Sequence, residues 1–178
     1  DRKTYEVRTG TRPASRGTRV RSTFIGRTQV EARSLLAGRG RANLVVVPAF
    51  AGGGARGDSY AARLHAAVIA GAEACGQVVD LRGNTGGNQW PMIAGLSALL
   101  GDSTQGLEMR AGGVRNGYAT LSHGRVRESA GGAAALTLAS VANWHAPASM
   151  RRQPVAVLID GDTASSGAGV AIAFHGRK

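Results

Sequence analysis

Residues 77–88 read Gln77-Val78-Val79-Asp80-Leu81-Arg82-Gly83-Asn84-Thr85-Gly86-Gly87-Asn88. The first five residues, Gln77 to Leu81 (QVVDL), read as a short buried strand. The glycines end it, and a helical pattern follows from about Gln89 to Leu100. Pro91 falls in the first turn of that helix, where its missing N–H is tolerated. Upstream, Asn43 to Phe50 (NLVVVPAF) is a second buried strand. The loop Gly52-Gly53-Gly54 to Gly57 follows, then a helix capped by Asp58 or Ser59 and running to about Cys75. Ala61, Leu64, His65, Val68, Ile69 and Ala72 form its apolar stripe, and Gly76 closes it. Downstream, Pro154 to Asp160 (PVAVLID) is a third buried strand, turned by Gly161-Asp162 into a helix start and helix over Thr163–Phe174. Strand and helix in this rhythm predict right-handed βαβ units and a mainly parallel sheet in an α/β fold.

The remainder is less regular. Residues 1–41 scatter Thr, Arg, Gly and Pro, and read as a basic strand-and-loop lead-in to a core of residues 42–178. Thr18–Phe24 alternates as an edge strand would. Residues 101–153 read as a hairpin or covering insertion. Asn116-Gly117 is a hairpin-turn signal, with strands expected near Leu107–Arg110 and Tyr118–Leu121. Ala133–Trp144 (AAALTLASVANW) reads as a helix or a covering segment.

Composition narrows the function classes. The chain has 178 residues, which suits one domain, with 27 glycines and no Gly-X-Y period, so a collagen-like chain is excluded. One cysteine excludes a disulfide framework and a cysteine metal cluster. Cys75 is expected to be a small buried hydrophobe. Four histidines without close spacing make no metal site, and no apolar run reaches the roughly 18–20 residues of a membrane span. The net charge of +11 invites a nucleic-acid reading, but residues 1–41 carry a net +8 of it. Only Tyr5 and Phe24 fall among these arginines, too few for the stacking platform such a binder requires. Asp1 in place of a methionine reads as a processed or engineered start.

Two features can carry chemistry. Thr163-Ala164-Ser165-Ser166-Gly167-Ala168 sits at a strand-to-helix junction, where a serine hydroxyl stands beside orphan helix N–H groups able to stabilise an oxyanion. The same residues also suit an ordinary Ser/Thr helix cap. Asp80–Gly87 lies at the C-terminal end of a buried strand, where open α/β sheets bind ligands. Its paired glycines let the backbone approach a substrate and offer N–H donors. They also suit a plain glycine turn. A phosphate loop is excluded because no Lys-Ser/Thr follows.

Asp80–Gly87, Pro154–Ile159 and Thr163–Gly167 together resemble the C-terminal processing (tail-specific) serine peptidase family. This family includes the tricorn core protease and the interphotoreceptor retinoid-binding repeats. The resemblance runs from about Ala42 to the C-terminus. It implies a crotonase-like core of the ClpP/crotonase kind, a protein or peptide substrate, no metal or organic cofactor, and a periplasmic or extracytoplasmic place. By this resemblance Ser165 matches the nucleophile, and the amides of Ser166 and of Gly86 or Gly87 match the oxyanion hole. Asp80 and Arg82 match framework positions. Family members usually carry a glutamate where this chain has Ala168, which implies impaired or lost activity. The family's lysine base lies in a strand beyond the serine, whereas this chain ends at Lys178, so a truncated core is expected. That core would need its own further strands, a second chain or a homo-oligomer to complete the sheet.

The general base is unassigned. His65 falls on a helix face, and His123 and His145 fall in loops. His175 and Lys178 lie beyond a helix from Ser165, some 15 Å away at 1.5 Å per residue. Three expectations therefore stand: a serine peptidase working through Ser165, a non-catalytic peptide- or ligand-binding module on the same fold, and a basic N-terminal segment binding nucleic acid.

Overall fold

A computed structural model describes residues 28–109, 115–130, 134–175 and 177. Of the sequence expectations, the strand at Thr18–Phe24, most of the N-terminal arginines and Lys178 lie outside these residues.

The described residues build two sheets with helices packed against both. The first sheet has the order β1-β2-β3-β8, formed by β1 (Glu31–Ala37), β2 (Gly40–Val46), β3 (Gly76–Asp80) and β8 (Val155–Leu158). β1 and β2 are an antiparallel hairpin, while β2–β3 and β3–β8 are parallel. The sheet is therefore mainly parallel, and residues 31–41 share it with the strands that follow. β2 and β3 are inner strands, so Val45, Val46, Val47, Val79 and Leu81 are buried. β8 is paired on one side only among the described residues, and it is not buried on both faces as its sequence predicts. Ala156 is exposed there, and Ile159 beyond it is 61% exposed.

Helix α1 (Gly54–Ile69) crosses between β2 and β3. It starts four residues before Asp58 and is not capped by it, because the Asp58 carboxylate accepts the Ser140 amide at 2.7 Å instead. It ends at Ile69, not Cys75. The carbonyls of Gly71, Ala72 and Ala74 are taken by Gln153, and Gln77 also donates to Gly71, which holds residues 70–75 as a turn. Cys75 is exposed in that turn rather than buried. The expected second helix is two pieces, α2 (Gln89–Gly95) and α3 (Ser97–Leu100).

The described residues between 103 and 140 form a four-stranded antiparallel sheet in sequential order, rather than one hairpin. Its strands are β4 (Ser103–Met109), β5 (Arg115–Ser122), β6 (Arg125–Ala130) and β7 (Leu136–Ser140). Asn116 and Gly117 lie inside β5, with Gly117 opposite Glu108 and Ala130. The two-residue turn falls at His123-Gly124, whose φ angles of 48° and 71° match a primed hairpin turn. Of the expected Ala133–Trp144 helix, the described residues 134–144 are not helical. Their middle is β7, paired with β6.

α1 packs against β1, β2 and β7, and α2 against β6 and β7. Leu64, Leu81, Met92, Leu96, Leu99, Leu121 and Met150 are fully buried in one common core. Each such side chain contributes roughly 1.5–3 kcal/mol. A short 3-10 turn (Ala148–Arg151) leads to β8, and α4 (Ser166–Ala173) follows. That core anchors the parallel sheet, at whose C-terminal edge β3 and β8 deliver the two chemically distinctive loops.

Candidate active site

β3 ends in Asp80, which is fully buried. Arg82 folds back on it through Nε and Nη2, both at 2.8 Å, and through its amide at 3.1 Å. This fork fixes the direction in which the glycine loop leaves the sheet.

Asn84 is the loop's buried hub. Its Nδ2 donates to the Val47 carbonyl at 2.9 Å, and its Oδ1 accepts the Gly86 amide at 2.9 Å. Its backbone carbonyl accepts the Ala164 amide at 3.0 Å, tying the glycine loop to the serine loop. Gly86 has φ +110°, and a Cβ there would fall 2.8 Å from Ser165 Cβ and 3.0 Å from the Ser166 amide. Only glycine fits that approach. Gly87 has φ +111°, and a Cβ there would fall 2.4 Å from the Phe50 carbonyl.

The other loop is held by Asp160 and Thr163. The Asp160 carboxylate accepts the Gly83 amide at 3.0 Å, the Asp162 amide at 3.1 Å and the Thr163 hydroxyl at 3.1 Å. Desolvation raises its pKa, but these hydrogen bonds, led by Gly83, outweigh that and hold it below the ordinary carboxylate value. The Thr163 hydroxyl also meets the Leu81 carbonyl at 2.9 Å. The ends of β3 and β8 are thus stitched together.

Ser165 stands at the apex, with φ 50° and ψ −123°. Such a backbone is sparsely populated for a residue with a side chain, at a cost of roughly 1–3 kcal/mol. An ordinary cap has extended backbone and accepts an amide from the first turn. Ser165 does neither: its side chain makes no capping bond and is exposed. Ser166 opens α4, and its hydroxyl donates to the Gly87 carbonyl at 2.6 Å. Among the described residues no acceptor takes the Ser166 or Gly87 amide, whereas the Gly86 amide is spent on Asn84. Phe50 bonds to Gly86 and Asn88 on either side of Gly87 and leaves the Gly87 amide out of that bridge. Ser165, Ser166, Gly86 and Gly87 therefore meet, with a free hydroxyl beside two free amides. Ala168 lies one turn into α4 and brings no polar group.

Among the described residues none of the remaining sequence candidates hydrogen-bonds this cluster. His65 is 5% exposed, and neither ring nitrogen has a partner among the described residues. Its ring lies edge-on to His145 at 5.7 Å and near Trp144 at 6.4 Å. Burial, and then the neighbouring His145, hold its pKa below the ordinary 6.5. His123 is exposed in its turn, with Nδ1 2.9 Å from the Ser122 hydroxyl and its amide donating to Asp102. His145 and His175 are exposed. Among the described residues no side chain hydrogen-bonds the Ser165 hydroxyl, and no group of three or more His, Cys, Asp or Glu could hold a metal ion. Asn84, Asp160 and Phe50 escape sequence reasoning, since each acts through partners distant in the chain. An amide residue inside a glycine turn is the one local signal, and it marks Asn84.

Residues 43–178 match peptidase family S41. The chain is 31% identical over 148 residues to a nisin-resistance protein of Lactococcus lactis subsp. lactis, covering 77% of this chain and 40% of that protein. Its fold is similar to a lipoprotein from Streptococcus agalactiae, with a TM-score of 0.56 and 22% identity, over 83% of this chain and 46% of that one. A photosystem II D1 C-terminal processing protease aligns at a TM-score of 0.47 and 16% identity, over 82% of this chain and 33% of that one. The chain thus spans less than half the length of these relatives.

Proposed function

The chain belongs to peptidase family S41, and on that premise we propose that it is a serine peptidase of the C-terminal processing type, with a crotonase-like core and Ser165 as nucleophile. One observation carries this reading: Ser165 holds a strained backbone with its hydroxyl unspent, beside the free amides of Gly87 and Ser166. Ser165 Oγ attacks the scissile carbonyl carbon and gives up its proton to a base. The carbonyl oxygen becomes an oxyanion and takes the two N–H groups, which lose no prior bond in doing so. Collapse expels the amine, which takes the proton, and leaves an acyl-enzyme that water hydrolyses. Gly86 serves by its lack of a side chain, since its amide is occupied. The base must come within about 3 Å of Ser165 Oγ. The substrate is a peptide or protein, no cofactor enters, and an extracytoplasmic place accords with the lipoprotein and nisin-resistance relatives. No helix among the described residues is long and apolar enough to cross a membrane.

A second reading, a non-catalytic peptide-binding module on the same fold, draws on Ala168 and on the unpartnered Ser165 hydroxyl. A fluorophosphonate probe separates the two. Labelling of the parent chain that disappears in Ser165→Ala is the result expected of a peptidase. A parent chain that stays unlabelled, while a competent serine hydrolase reacts under the same conditions, favours the binding module. Labelling gained by Ala168→Glu would then trace the loss to that one position.

A further inference from the structure

Beside the glycine loop lies a groove of ≈ 310 Å³ lined by Phe50, Ala55, Arg56, Ser59 and Arg63. Arg56, Ser59 and Arg63 follow at helical spacing and share one face of α1. At 1.5 Å per residue the two arginines stand about 10 Å apart along the helix. Both are exposed, and neither has an ion-pair partner among the described residues. Asp58, the acid of the same helical turns, points away to Ser140. The floor is rigid. The Phe50 ring stacks on Tyr60 at 4.4 Å, and the Tyr60 hydroxyl donates to the buried Pro48 carbonyl at 2.8 Å. Gly52 presses on the ring from elsewhere, since a Cβ there would fall 2.5 Å from it. Burial raises the Tyr60 pKa, against a smaller lowering by Arg63, so the phenol stays neutral and the groove's charge is that of its arginines. Phe50 is also the residue hydrogen-bonded to Gly86 and Asn88 on both sides of Gly87. The groove floor and the oxyanion donor therefore share one backbone bridge.

We propose that this groove is a substrate subsite selecting peptides with an acidic side chain near the scissile bond, its carboxylate meeting Arg56 and Arg63 while its stem lies on Phe50. The assignment of a substrate to this place rests on the peptidase reading of Ser165. Two arginines offer forked donors to a carboxylate, and contact of the side chain's apolar stem with Phe50 adds to the pairing.

Binding, rather than turnover, tests it. The full chain carrying Ser165→Ala is titrated into fluorescein-labelled alanine hexapeptides with one central Glu, Gln or Lys, read by fluorescence anisotropy at low and high salt. The Glu peptide is expected to bind about ten-fold more tightly than the Gln peptide and the Lys peptide more weakly still, with the Glu advantage shrinking in salt. Arg56→Gln with Arg63→Gln should erase the advantage. Both side chains are exposed, so a thermal melt should show these variants folded. A second basic cleft, lined by Thr120, Ser122, His123, Arg125 and Arg127, provides the control. Arg125→Gln with Arg127→Gln should leave the advantage intact. Equal binding of the Glu and Gln peptides overturns the subsite, as does an advantage that follows Arg125 and Arg127. The two readings fail separately. An Arg56- and Arg63-dependent advantage in a parent chain that resists fluorophosphonate keeps the groove and sinks the peptidase. Labelled Ser165 without the advantage does the reverse.

Discussion

Helix α2 follows the end of β3, and helix α4 follows the end of the neighbouring parallel strand β8. Both begin with a small polar residue. At α2 it is Asn88, with φ −97° and ψ 110°, whose side-chain Oδ1 accepts the Trp90 amide at 3.1 Å and whose Nδ2 donates to the Gly52 carbonyl at 2.9 Å. At α4 it is Ser165, with positive φ and no capping bond. Asn88 spends its polarity locally and sits in relaxed backbone. Ser165 keeps its hydroxyl unspent, and its strain is held by others: Asn84, Asp160, Thr163 and Ser166. A polar residue that stabilises a helix start and one available for chemistry are thus distinguished by where their hydrogen bonds go.

After loss of labelling in Ser165→Ala, the largest expected effect lies in the support of the strained side. Asn84→Ala leaves the Gly86 amide and the Val47 carbonyl without their partner. An unsatisfied buried group costs about 1–3 kcal/mol, so a loss of about 3 kcal/mol is expected in urea denaturation. Fluorophosphonate labelling should slow as well, since Gly86 packs on Ser165. An Asn84→Ala chain as stable and as reactive as its parent would break the comparison. Gly86→Ala should slow labelling comparably, through its clash with Ser165 Cβ.

A smaller pair of effects should have opposite signs. Asn88→Ala removes a working cap and should lower stability by about 1 kcal/mol. Ser165→Gly accommodates the positive φ and should raise stability by roughly 1 kcal/mol while abolishing reactivity. Equal signs in the same denaturation series would mean that Ser165 is a cap after all.

Much of this edge is legible in the sequence, because short valine-rich segments mark β2, β3 and β8, and glycines mark the turns between strand and helix. What escapes is non-local. Asn84 matters through Val47, which is 37 residues away in sequence. β7 escapes because a register shift between Val126 and Arg127 breaks its pairing pattern, and the surrounding alanines mimic a helix. The exposure of Cys75 depends on Gln153, a residue from the far end of the chain that captures the carbonyls after α1. The apolar face of β8 reads as buried because sequence shows hydrophobicity and not the number of neighbouring strands.

The smallest effect concerns whether the fold and the serine respond to pH together. His65 is buried and its folded pKa lies below 6.5. The groups facing it are His145 from the loop after β7 and, across Trp144, His123 from the β5–β6 turn. As pH falls below about 6.5, the unfolded chain takes up a proton at this position that the folded chain refuses. Stability should therefore decline from that pH down to the folded pKa, by less than about 1.4 kcal/mol per pH unit for one group. His65→Phe should flatten this decline in urea melts, with the contribution of the carboxylates common to both chains. Labelling of Ser165 should keep its own pH profile in His65→Phe, because His65 lies in the middle of α1 among Trp144 and His145. A labelling profile that moves with His65→Phe would couple the buried histidine to the strained serine, and the support of Ser165 would then extend beyond the loops at the sheet edge.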